Sequence, residues 1–116
     1  MRRLSRHMCP QFQTAVDLLG RRWTGLVLRA LSDGPRRFGD LSEHLEVVSE
    51  RVLSERLKEL TAEGLVERRV STSPPVQVEY RLTEKGLAFR GVLDALGAWA
   101  ERWVSACPSE KRARET

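Results

Sequence analysis

The apolar pattern of this chain changes period at Gly64 and changes back at Thr83. Before Gly64, apolar residues recur at spacings of three and four. From Leu65 to Leu82 they alternate with polar ones, and after Thr83 they step by three and four again. A helical pattern laid out as a strand turns half of its apolar residues to water, and the reverse also holds. The chain is therefore constrained to a helical body, one short β unit and a closing helix.

The first helical stretch covers 12–20, with Phe12, Val16 and Leu19 on one face and Gly20 at its end. The second covers 22–32, with Trp23, Leu26, Val27, Ala30 and Leu31 facing inward. Ser32 to Pro35 breaks it. A third, over 38–45, carries Phe38, Leu41 and Leu45. Ser49 is placed to cap a fourth helix that runs to Glu63, and Gly64 supplies the left-handed residue that ends it. Val66, Arg68 and Val70, then Val76, Val78, Tyr80 and Leu82, alternate on either side of a turn-rich Ser71 to Pro75. That is the pattern of a β-hairpin. Thr83 then caps a last helix over 84–104. The fold class expected is α+β and mostly helical: a winged helix-turn-helix with a two-stranded β-hairpin wing and a long C-terminal dimerisation helix.

With 116 residues the chain suits one domain. It is expected over 1–107, with a polar, charged tail at 108–116. A hydrophobic share of 41% and a charged share of 31% are those of a globular chain. No apolar run approaches the ~20 residues that span a bilayer, so no membrane partner is expected. The stretch Met1 to Met8 is basic with no apolar run behind it, which does not read as a secretory signal. Cys9 and Cys107 stand near opposite ends and form no C-x-x-C pair, and His7 and His44 lack metal-ligand spacing. No metal, cofactor or catalytic residue is expected. Two thiols without an export signal point to the reducing cytoplasm. A thiol enzyme built on Cys9 with His7 or His44 lacks any accompanying acid or oxyanion loop.

Charge placement narrows the partner. Residues 1–40 hold eight Arg against three Asp, whereas 41–83 hold six basic against eight acidic residues. A basic front half fits nucleic acid. On the fourth helix Leu53, Leu57 and Leu60 fall on one face, and Glu50, Arg51, Ser54, Glu55 and Lys58 lie opposite them. In a helix-turn-helix this side meets the major groove, where Arg51 can donate twice to guanine O6 and N7. Ser54 suits base or phosphate, and Lys58 suits phosphate. The backbone N–H groups beside Ser49 offer a phosphate seat. Glu50, Glu55 and Glu59 repel phosphate, but carboxylates can accept from cytosine N4. Arg36 and Arg37 either grip the DNA backbone or are solvated turn residues. Arg68 and Arg69 fall on opposite faces of the hairpin, so at most one faces DNA directly. Ser71, Thr72 and Ser73 give the loop hydroxyl donors. A winged helix devoted to protein partners is the rival reading, which a gel shift at low and moderate salt decides.

On the last helix Phe89, Leu93, Leu96, Ala100 and Trp103 step by four, three, four and three. Val92 and Trp99 widen the stripe, and Phe12 and Val16 are placed to complete it. So regular a seam suits pairing between chains. A homodimer sets two reading helices about 34–36 Å apart, one DNA turn, and calls for a near-palindromic operator.

The chain resembles the HxlR family of bacterial winged-helix regulators, relatives of the MarR group. The resemblance rests on Cys9-Pro10, Leu19 to Trp23, Gly34 to Leu41, Leu53 to Leu57 with Leu60, Gly64 to Val66, and Val78 to Thr83 with Gly86. It departs at Arg21 and Arg22, where the family usually carries glycine and lysine. The resemblance implies a sequence-specific regulator of transcription that binds double-stranded DNA. It also implies a dimer formed by the first and last helices, a reading helix at 49–63 and a wing at 65–82. Several members carry a redox- or electrophile-sensing thiol at the place of Cys9. Arg2, Arg3, Arg6 and His7 are the positive neighbours such a thiol needs. The resemblance names no small-molecule effector.

Overall fold

The computed structural model describes residues 9–105. Arg2, Arg3, Arg6, His7, Cys107 and the tail at 108–116 lie outside them. Helix α1 spans Pro10–Gly20 and α2 Thr24–Leu31. A two-residue strand β1, Arg36–Arg37, leads into α3, Phe38–His44, and α4, Glu50–Ala62. Strands β2, Val66–Val70, and β3, Val78–Leu82, follow, then α5, Glu84–Ala88, and α6, Arg90–Trp103.

The core forms where four stripes meet. Val27, Leu28 and Leu31 of α2, Leu41 of α3, and Leu53, Leu57 and Leu60 of α4 close on Leu65, Val66 and Leu82 at the base of the sheet. Each fully buried aliphatic side chain contributes about 1.5–3 kcal/mol relative to exposure. Helix α4 begins as its sequence dictates, with the Ser49 Oγ accepting from the Val52 N–H at 3.2 Å. It ends at Gly64, whose φ of 83° only glycine adopts without strain. Thr83 repeats the capping device on α5, accepting from the Gly86 N–H at 3.2 Å.

Four expectations need correction. The second helix starts at Thr24, two residues late, because Trp23 takes a left-handed φ of 74°. The buried side of the helix is Thr24, Val27, Leu28, Ala30 and Leu31; Leu28 stands four residues after Thr24 and three before Leu31 and is buried, whereas Leu26 is exposed. The sheet has three strands in the order β1-β3-β2, not two. Gly34 and Pro35 turn the chain so that Arg36 pairs with Tyr80 and Arg37 with Glu79 along the free edge of β3. The strand expected from Val76 starts at Val78. The last helix is two helices: at Phe89 the bond pattern tightens to Phe89 N–H donating to the Gly86 carbonyl. That turn lets Phe89 and Leu93 face the core while the rest of α6 runs on.

Candidate nucleic-acid interface

Helix α4 packs through Leu53, Leu57 and Leu60 and presents Glu50, Arg51, Glu55 and Lys58 to solvent, with Ser54 half-buried beside them. All five residues chosen from the sequence thus lie off the packed face. The capped Val52 N–H is satisfied, which leaves the N–H groups of Glu50 and Arg51 to head the helix. Glu50 is tied back toward α3, its Oε2 accepting from the Ser42 Oγ at 3.3 Å. A carboxylate steadied there is a fixed acceptor beside the Arg51 donors.

One side chain that sequence reasoning passed over steadies α4 from behind. The Arg56 Nε donates to the Arg22 carbonyl at 2.8 Å, and its Nη1 pairs with Glu59 at 3.1 Å. Glu59 also takes Arg21 at 3.4 Å. The turn between α1 and α2 is thereby laced to the reading helix, and the charge of Glu59 is offset by two guanidinium groups. The i,i+3 pair of Arg56 and Glu59 was the available signal.

The sheet sorts the remaining arginines. Arg37, Glu79 and Arg69 form one cross-strand row, and Arg36, Tyr80 and Arg68 the next, which alternation places on the other face. Arg36 is committed inward, its Nε donating to the Ala30 carbonyl at 2.9 Å. Arg37 and Arg69 meet across a cleft of about 370 Å³ that Thr72 and Gln77 also line. Arg69 is shared with Glu67 at 3.1 Å. An exposed pair of this kind is worth about 0–1 kcal/mol, so a phosphate can compete for it. In the loop, the Ser71 hydroxyl donates to the Ser73 carbonyl at 2.8 Å, while Thr72 and Ser73 are exposed.

The seam expected between chains divides in two. Leu93 is 5% exposed and, with Phe89, belongs to the chain's own core. Val92, Leu96, Trp99 and Trp103 stay exposed on α6, as do Phe12 and Val16 on α1. Ala100 is half-buried. Cys9 sits at the N-terminal edge of α1, exposed, with its Sγ donating to the Gln11 Oε1 at 3.3 Å. Among the described residues no helix is long and apolar enough to cross a membrane.

Three helices, a capped reading helix with a polar outer face and a sheet that follows it directly make up a winged helix-turn-helix, an architecture of DNA-binding regulators. The chain belongs to the HxlR family: the model of the HxlR-like helix-turn-helix matches residues 18–108. It is 44% identical over 108 residues to the HTH-type transcriptional regulator YodB of Bacillus subtilis, covering 90% of this chain and 96% of YodB. It is 46% identical over 97 residues to the uncharacterized HTH-type transcriptional regulator YvaP of the same organism, covering 84% and 90%. The reduced form of YodB superposes with a TM-score of 0.78 at 45% identity, over 84% of this chain and 96% of that one. YodB has also been solved quinone-bound, with a TM-score of 0.73 at 44% identity over 83% of this chain and all of that one.

Proposed function

We propose that this chain regulates transcription in the cytoplasm as a homodimer on a near-palindromic operator, with Cys9 as a redox- or electrophile-responsive thiol. The observation that carries the reading is the set of large apolar side chains left exposed on α6, with Phe12 and Val16 exposed on α1. Trp99 and Trp103 are 58% and 64% exposed, which a small body sustains when a second copy covers them. Each α4 then enters a major groove, and Arg37, Arg69, Thr72 and Ser73 reach the flanking phosphates. Sedimentation combined with a salt-titrated gel shift tests it. A single-chain mass at micromolar concentration, or no binding to any genomic fragment at low salt, overturns it.

Arg51→Ala is expected to weaken specific binding by about 1–3 kcal/mol and to relax preference at one base position per half-site. Affinities for the operator and its single-base variants check this. Equal losses on every variant would place Arg51 on phosphate.

Cys9 supports the switch by its place. It stands where α1 begins, and no residue of α1 is buried. Phe12, one turn on, is among the exposed apolar side chains. A quinone adds there by forming a carbon–sulfur bond; the electron pair moves to a carbonyl oxygen, which takes up a proton. Diamide removes two electrons and two protons from a pair of thiols to give a disulfide, and is itself reduced to the hydrazine. Either product places a new group beside the pairing surface and displaces the two reading helices. That YodB has been solved quinone-bound supports the same chemistry here. Operator binding by the wild type is expected to fall on treatment, and by Cys9→Ser to persist. Equal responses from both remove Cys9 as the sensor. A response retained in Cys9→Ser and lost in Cys107→Ser moves the switch to the other thiol.

A further inference from the structure

Helix α6 leaves the body of the domain at a definite place. Phe89 and Leu93 are packed on the core, but Leu96, Trp99 and Trp103 are exposed. At the point of departure one side chain of α2 reaches across. The Arg29 Nη1 donates to the Leu93 carbonyl at 3.0 Å and lies 3.6 Å from Asp94 Oδ1. The same guanidinium lies over Gly97: a Cβ there would meet Arg29 Nη1 and Nη2 at 3.4 Å and Cζ at 3.7 Å. In a regular helix the Leu93 carbonyl already accepts from the N–H four residues on, that of Gly97. Arg29 therefore adds a second donor to a carbonyl inside the helix, and its guanidinium lies within contact distance of position 97.

We infer that Arg29, seated over Gly97, is a positioning residue that fixes the direction of α6 relative to α4, and so sets the half-site spacing the dimer accepts. The inference rests on the reading of the chain as a dimer paired through α6 and α1. Helix α2 carries Arg29 on its outer side and buries Val27, Leu28 and Leu31 among the leucines of α4. An orientation imposed on α6 from α2 is therefore referred to the same rigid body that holds the reading helix. Beyond Gly97 the large apolar side chains of α6, Trp99 and Trp103, are exposed in the single chain, and on the dimer reading it is the partner that covers them. A change of angle at Arg29 moves the partner's whole domain, and the lever is long. Successive base pairs are about 3.4 Å apart, so a displacement of that size between the two reading helices is a spacing change of about one base pair.

The test uses the full-length protein and a library of operators whose two half-sites are separated by zero to several added or removed base pairs. Arg29→Ala is expected to remain a dimer by sedimentation, to lose roughly tenfold affinity at the parental spacing, and to spread its preference over neighbouring spacings. Gly97→Leu serves as the second variant. A Cβ alone would only touch the guanidinium at 3.4 Å, but a side chain extended beyond it must displace Arg29, and leucine improves helix propensity, so the contact is perturbed without weakening α6. This variant is expected to move the spacing optimum in the wild-type background and to leave it unmoved in the Arg29→Ala background. Arg29→Lys, which keeps a donor and the charge but not the planar cover, is expected to fall between. Unchanged spacing profiles for both Arg29→Ala and Gly97→Leu, with the wild type dimeric and bound, overturn the inference. A monomeric or non-binding wild type overturns the dimer reading instead.

Discussion

Gly86→Ala is expected to destabilise the domain by about 3 kcal/mol, among the larger losses a single methyl group can cause. The Cβ it introduces would run into the Leu65 carbonyl oxygen and stand 3.0 Å from Leu82 Cδ2. Neither neighbour can yield cheaply. The Leu65 carbonyl accepts from the Thr83 N–H at 3.0 Å, and Leu65 and Leu82 are 1% and 7% exposed. Relief would require α5 to lift from the base of β2, which also carries the start of α6 away from the core. Small domains hold about 5–15 kcal/mol in total, so a large share of the stability is at stake. Urea unfolding of the variant beside Gly91→Ala checks this. Gly91 is also helical but meets nothing within 4 Å, so its replacement is expected to be neutral or to stabilise by up to ~1 kcal/mol. A loss at Gly86 below about 1 kcal/mol would show that the Leu65 carbonyl has room to move.

Gly86 also marks how far the sequence could be read. Its place in the motif was visible, but its reason is a contact with Leu65, twenty-one residues upstream. Elements specified by their own residues were legible: the Ser49 cap, the Gly64 stop, the three leucines of α4 and the alternation through Tyr80. What depended on distant partners was not. Arg36 and Arg37 form a strand only because β3 offers a free edge, and two arginines carry no strand signal. Leu26 and Leu28 exchange places because the buried face runs through Thr24, which an apolar pattern counts as polar. By its spacing the stripe of α6 reads as one seam, although Phe89 and Leu93 at its start are claimed by the chain's own core. On the DNA side, the polar face of α4 followed from periodicity alone. The lacing of Arg56 to Arg22 and Glu59 needed the third dimension, as did the inward turn of Arg36.

Trp103→Glu and Leu96→Glu are expected to leave a folded chain that no longer pairs. Both side chains are exposed in the single chain, so neither substitution opens its core. In the pair each would bury a carboxylate among apolar side chains; Arg102, 5.1 Å from the Trp103 ring, can partly offset it at 103, which leaves Leu96→Glu the more severe of the two. Removing an unpaired charge from water costs several kcal/mol. The consequence for DNA is larger than for the fold. Two linked reading helices gain about 10²–10⁴ in affinity over one, because the second half-site is engaged without a second search. Sedimentation should therefore give the mass of one chain where the wild type gives two. Circular dichroism should show helix content retained, and operator affinity should fall toward that of a single half-site. Val76→Glu, exposed on the wing and remote from α6, should leave the mass unchanged. If Trp103→Glu and Leu96→Glu both sediment as dimers, the strip on α6 is not the pairing surface. If they unfold, the strip stabilises the chain itself and its exposure has been misread. Retained folding with loss of both pairing and binding is the outcome that ties the apolar strip at one end of the molecule to the reading helix at the other.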